Sequence, residues 1–205
     1  MSHTLSPARL EAFSDGVIAV IITIMVLELK VPTAADCPTA DGPAALGCVL
    51  PVLILYFLSF VQVGIYWVNH HYLIDEAKTI GHGLLWANLI FLFCLSLIPF
   101  ATLWVGAKSL SPFSVSLYAT TCVLPAISFT VLSRAVRAHS DTMPHASQGK
   151  QLFSLGLYLA AIGVALYWPY IALVLIGIVA VIWVLPPRHP ENDVHQHTHP
   201  QRPTE

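Results

Sequence analysis

Six apolar runs partition the sequence, roughly 10–29, 46–68, 83–106, 113–136, 151–167 and 170–186, each poor in charge. About 20 apolar residues is the length an α-helix needs to cross the hydrocarbon of a bilayer. In that medium every backbone group must find its partner internally, so a chain with several such runs folds as a helical bundle. Only 10% of the 205 residues are charged, against about a quarter in soluble domains, which leaves too little polar material to cover a globular surface. The expected class is an all-α polytopic membrane protein with six transmembrane helices.

Turn chemistry separates the runs: a Pro-rich stretch at 31–45, a polar one at 72–82, the 108–112 turn, the 137–150 loop and Trp168-Pro169. The last two runs are short and also read as one re-entrant hairpin. The first run lacks a basic leader and a small-residue cleavage site, so it is expected to be a true membrane helix and not a signal peptide. A net charge of −2, without a basic patch, argues against nucleic acid as a partner. The lipid bilayer is the expected surrounding.

Loop charges orient the chain. With the N-terminus inside, the inner segments hold Arg9, Lys78, Arg134, Arg137, Lys150, Arg188 and Arg202, and the outer loops only Lys30 and Lys108. Basic residues concentrate on the cytoplasmic side of short loops, so both termini are expected in the cytoplasm. Cys37 and Cys48 then share an outer loop, where oxidising conditions permit a disulfide, although two unpaired thiols fit the sequence equally. Cys94 and Cys122 lie mid-span and read as small apolar fillers. Residues 188–205 are polar, Pro-rich and His-rich, and are expected to form a disordered tail after a 1–187 membrane domain. The alternating His195, His197 and His199 offer at most a loose divalent-metal site.

Polar residues inside membrane spans are costly and mark function by default. The first run is RLEAFSDGVIAVIITIMVLELKVP, residues 9–32. With Val20 at zero on a helical wheel, Ile24 falls at about +40° and Leu27 at about −20°, while Asp15 and Glu11 fall at about 220° and 180°. One helix therefore carries an apolar stripe and, on its far side, an acidic pair. The second run ends in WVNHH, residues 67–71, at the same membrane level. Trp67, Asn69, His70 and His71 supply donors that Ser14 and Asp15 can accept from, as a helix-locking network or a proton relay. The plainer reading is an interfacial belt with Tyr66 and Tyr72. Adjacent histidines point about 100° apart and do not easily share a metal, so no metal site is expected. The Val20–Ile24–Leu27 stripe by itself reads as helix packing, lipid contact, or a hydrophobic pore wall that gates by dewetting.

Arg9-x-x-x-Phe13-Ser14-Asp15-Gly16 followed by Trp67-x-Asn69-His70-His71 resembles the bacterial transmembrane protein 175 family of potassium channels. Beyond position 76 the similarity is in span pattern only. The resemblance implies a homotetramer of six-helix subunits in a bacterial plasma membrane, with the first helix of each subunit lining a central pore. It implies a leak-like channel of modest selectivity for potassium over other monovalent cations, with no cofactor and no enzymatic activity. The family's constriction positions fall on Val20, Ile24 and Leu27, and its pore-facing hydroxyl on Thr23. Arg9, Phe13, Ser14 and Asp15 with the Trp/His motif correspond to the family's bracing network. Val20 is one carbon shorter than the Ile or Leu usual there, which implies a wider constriction. The sequence has no TVGYG filter and carries a single copy of the motif. A proton-coupled transporter relaying through Asp15 and His70 or His71 stays open beside the channel. An intramembrane enzyme is the weakest reading, since Cys94 and Ser96 have no ionisable partner on their own span.

Overall fold

A computed structural model of the protein describes residues 6–29, 33, 37, 45–77, 79–108, 110–138 and 146–185. Six helices follow in order: α1 (Pro7–Ile24), α2 (Ala45–Asp75), α3 (His82–Ala107), α4 (Pro112–Arg137), α5 (Ala146–Ala165) and α6 (Pro169–Val184). Four of them, α1 to α4, are long and apolar enough to cross a membrane, whereas the apolar helices of the final pair are shorter. The 16 residues of α6 rise only about 24 Å, less than the ~30 Å hydrocarbon core.

The helix starts follow local chemistry. Pro7 and Pro112 occupy the first turns of α1 and α4, where a missing N–H costs nothing and a fixed φ is already helical. The Ser111 hydroxyl accepts from the Ser114 backbone N–H and closes the α4 N-terminus. At its far end α1 tightens into a 3-10 turn, Met25–Glu28, before Leu29 turns extended.

The second helix runs further than its hydropathy suggests. It spans 31 residues, about 46 Å, where the apolar run ends at 68. No Gly or Pro interrupts the chain between Tyr66 and Ala77, and Leu73, Ile74 and Ala77 are buried in the core. Tertiary packing therefore carries the helix through the Trp/His motif and out of the hydrocarbon.

Two apolar cores lie in the bundle. The first joins α1 to α4 through Ile18, Ile21, Met25, Val63, Phe91, Leu95 and Phe129. The second gathers α2 to α6 around Tyr118, Ala119, Cys122, Tyr158, Ala161 and Ala172, with the small residues that let membrane helices approach closely. Helices α5 and α6 form an antiparallel hairpin: Lys150 Nζ, near the start of α5, donates to the Ile182 (3.1 Å) and Leu185 (3.4 Å) carbonyls at the end of α6. A disulfide joins Cys37 to Cys48, with Cα atoms 6.2 Å apart, and so fastens the segment after α1 to the first turns of α2. The 188–205 tail lies outside the described residues.

Candidate functional site

Helix α1 divides into three sectors. Leu10, Ser14, Ile18, Ile21 and Met25 are buried against the bundle, and on the same wheel they span about 80° to 160°. Glu11 and Asp15 sit on the rim of that sector, half-buried. On the remaining side Val20, Ile24 and Leu27 are 57%, 42% and 75% exposed. The structure therefore refines the two-face reading: the buried Ile18–Ile21–Met25 stripe, not the acidic pair, is what docks α1, and the acids edge it.

The 3-10 turn at the end of α1 changes how its last stripe residue sits. On an ideal α-helix Leu27 lags Ile24 by about 60°. A 3-10 turn advances about 120° per residue, so residues three apart eclipse and Leu27 stacks over Ile24. Thr23 is also exposed, and its hydroxyl proton is committed to the helix: Oγ1 lies 2.9 Å from the Ala19 carbonyl and 3.0 Å from that of Val20. The oxygen's lone pairs are what Thr23 presents outward.

A polar network ties α1 to its neighbours. The Trp67 indole N–H donates to Asp15 Oδ1 at 2.9 Å, and His71 Nδ1 lies 2.6 Å from Glu11 Oε1. Between these two rim contacts runs a fully buried chain. His70 Nε2 is 2.7 Å from Asn88 Oδ1, the Asn88 amide donates to Ser14 Oγ at 2.9 Å, and the Ser14 hydroxyl donates to the Leu10 carbonyl at 2.9 Å. A carbonyl only accepts, so the Ser14 proton points to Leu10. Ser14 therefore accepts from the Asn88 amide, the Asn88 oxygen faces His70, and His70 carries its proton on Nε2. Its ring stacks on Phe91, centroids 5.6 Å apart and planes 8° from parallel. Nδ1 is buried and has no hydrogen-bond partner among the described residues.

The sequence-based expectations meet this geometry unevenly. Trp67 reaches Asp15 as the motif order suggests. His70 does not reach Ser14 directly, because Asn88 of α3 stands between them. His71 engages Glu11 instead of Ser14 or Asp15. Asn69 departs from the expected set: its side chain donates to the Ile65 carbonyl of its own helix at 2.7 Å, since its position on α2 turns it toward α4 and α5. Arg9 and Phe13 are exposed on the first turns of α1. Asn88 was the residue sequence reasoning missed. An amide inside an otherwise apolar third span was the available signal. Among the described residues no cluster of metal-ligating side chains occurs.

The network cross-links three helices at one membrane level and leaves the exposed stripe of α1 untouched. A hydrogen-bond chain with a primary amide in its middle and a backbone carbonyl at its end is suited to positioning a helix. Asp15 and His70 each have another partner and are not bonded to one another.

The sequence profile of the family described as endosomal/lysosomal potassium channel TMEM175 matches residues 9–99, a stretch that contains all but the first two residues of α1 and every member of the network. A potassium channel of Chryseobacterium sp. (strain P1-3) is 39% identical over 197 residues, which cover 94% of this chain and 100% of that protein. The endosomal/lysosomal proton channel TMEM175 of Mus musculus is 32% identical over 114 residues, 53% of this chain and 23% of that one. Among solved structures, the crystal structure of a lysosomal potassium-selective channel TMEM175 homolog from Chamaesiphon minutus matches with a TM-score of 0.74 at 26% identity, covering 87% of this chain and 96% of that chain.

Proposed function

The chain belongs to the TMEM175 family of membrane channels, and from that premise we propose that it is a potassium-permeable cation channel whose constriction is the Val20–Ile24–Leu27 stripe of α1. The observation that carries this reading is the uncovered stripe itself. One side of α1 is pinned by a buried apolar face and a three-helix polar network, while the described residues leave the Val20–Ile24–Leu27 side largely exposed. Four subunits arranged around an axis would stack these residues as rings in place of a carbonyl filter.

The mechanism follows from the ring chemistry. An apolar constriction excludes an ion by dewetting and conducts when the rings widen and wet. Thr23, with its proton spent on the helix backbone, offers an oxygen lone pair to a partly dehydrated cation just below Ile24. Four such oxygens make a sparser cage than stacked carbonyls, so selectivity for K+ is modest. The network on the far side of α1 fixes the rotation of the helix and hence which residues the rings contain. In this proposal the subunit is one of four in a bacterial plasma membrane with both termini cytoplasmic. The Cys37–Cys48 loop then faces the oxidising side. Among the described residues Asp15 bonds Trp67, His70 bonds Asn88 and His71 bonds Glu11, so neither histidine hydrogen-bonds Asp15 as the proton-coupled transporter would require.

The test is K+ flux through proteoliposomes containing the wild type, Val20→Ala or Ile24→Asn. The proposal expects flux in the wild type and greater flux in both variants, because each enlarges or wets a ring. Absent wild-type flux, unchanged by both substitutions, would overturn it.

A further inference from the structure

A second group of buried polar residues lies away from α1, where α2 and α4 meet the α5–α6 hairpin. There Gln62, Tyr66, Asn69, Phe129, Ser154 and Tyr158 line a cavity of about 30 Å3. Room for one water takes about 10–15 Å3 on that scale, so the cavity accommodates two or three waters or one compact organic molecule. None of the lining side chains is ionisable at neutral pH, and Asn69 and Gln151 lie about 10 Å along their helices from Gln62 and Tyr158, seven residues on each.

The polar groups converge on this space with their valences partly open. Gln62 is 2% exposed, and its amide nitrogen donates to the Tyr158 hydroxyl at 2.5 Å. Gln62 also hydrogen-bonds the Cys122 thiol, and its amide lines the cavity, where the carbonyl oxygen can accept. Ser154 Oγ accepts from the Trp183 indole at 2.8 Å and keeps its own proton for a guest. The walls between are aromatic: Tyr66 and Phe129 lie 5.9 Å apart by ring centroids. An acceptor and a donor at the polar side, and rings around the rest, match a neutral molecule with one hydroxyl and a short hydrocarbon body. A charged guest has no counter-charge here and would be too costly to bury. An apolar one would leave the amide and the hydroxyl unpaired.

We propose that this cavity is a binding site for a short-chain neutral hydroxylic amphiphile, whose hydroxyl donates to Gln62 Oε1 and accepts from Ser154, displacing resident water. The site is independent of the pore. It lies between the hairpin and helices α2 and α4, and its occupancy can be read without any ion flux.

Photolabelling of the full chain in liposomes with a short diazirine-bearing alkanol, mapped by mass spectrometry, tests the proposal. Adducts should concentrate on Tyr66 and Tyr158 and saturate with dose. Excess unlabelled 1-butanol should compete for them. Ala126→Leu, which fills the cavity, should lower the labelling about fivefold or more, and Gln62→Leu should raise the half-saturating concentration by a similar factor. Phe129→Ala, which enlarges the space, should admit longer alkanols, and this keeps the test open should Ala126→Leu fail to fold. Labelling spread over lipid-facing residues such as Phe57 and Phe93, without competition, would overturn the proposal. So would a cavity that holds water only while labelling of Tyr66 and Tyr158 is unchanged by Ala126→Leu and Phe129→Ala.

Discussion

Replacing Asn88 with alanine should be among the most damaging single polar substitutions in the bundle. Asn88 is fully buried and makes the only bridge from α3 to both Ser14 and His70 among the described residues. In the alanine variant the His70 Nε2–H loses its acceptor in a dry site, a penalty of about 1–3 kcal/mol. Ser14 keeps the Leu10 carbonyl for its own proton and loses one incoming bond, worth about 0.6 kcal/mol in a membrane bundle. With the small void added, the expected loss is about 2–4 kcal/mol. The assay is equilibrium unfolding in mixed micelles, with Asn69→Ala as the control. Among the described residues Asn69 bonds only within its own helix, so its loss should stay within about 0.5 kcal/mol. Asn88→Ala should also change K+ flux, because the rotation of α1 is no longer fixed. An Asn88→Ala protein as stable as wild type, with Asn69→Ala the weaker of the two, would refute the account of the brace.

Further expectations concern the rest of the structure. Trp67→Phe removes the indole donor to Asp15 and should cost about 1 kcal/mol, read in the same unfolding assay, with a change in flux that Tyr72→Phe does not cause. Glu11→Gln should move stability by less than about 1 kcal/mol, since the His71 and Glu11 side chains are 50% and 25% exposed and water screens the pair. Lys150→Met, which strips the C-terminal carbonyls of α6 of their donor and removes an ammonium 5.7 Å from the Trp183 ring centroid, should cost about 1–2 kcal/mol and loosen the hairpin in hydrogen exchange. Alkylation under non-reducing denaturing conditions should modify Cys94 and Cys122 and spare Cys37 and Cys48 until a dithiol is added. Cys37→Ser with Cys48→Ser should lower stability by about 2–3 kcal/mol through loop entropy.

Much of this was legible in the sequence because bilayer physics is strict. Apolar run length and Pro or Gly punctuation place all six helices. The reach of α2 to Asp75 was hidden, since Asn69, His70, His71 and Asp75 read as polar while Leu73 and Ile74 pack into the core. The network was legible at Trp67–Asp15, where two motif residues meet. It was not legible at Asn88, because helix α3 is apolar nearly all round and offers no periodicity to say which way any one residue faces. The partner of His71 likewise depended on the rotation of α1 against α2. The sector that docks α1 is built of the same aliphatic types, Ile and Leu, as the stripe left bare. Composition cannot tell those two apart; the packing of the bundle does.

The most direct test of the central claim is thiol block of α1 in a channel carrying Cys94→Ala and Cys122→Ala, with the Cys37–Cys48 bridge kept. Cysteines introduced one at a time along α1 are exposed to silver ions during K+ flux. The account predicts irreversible block at Val20→Cys, Ile24→Cys and Leu27→Cys, with none at Ile22→Cys or Val26→Cys. Block at positions 22 and 26 with flux intact at 20, 24 and 27 would contradict it.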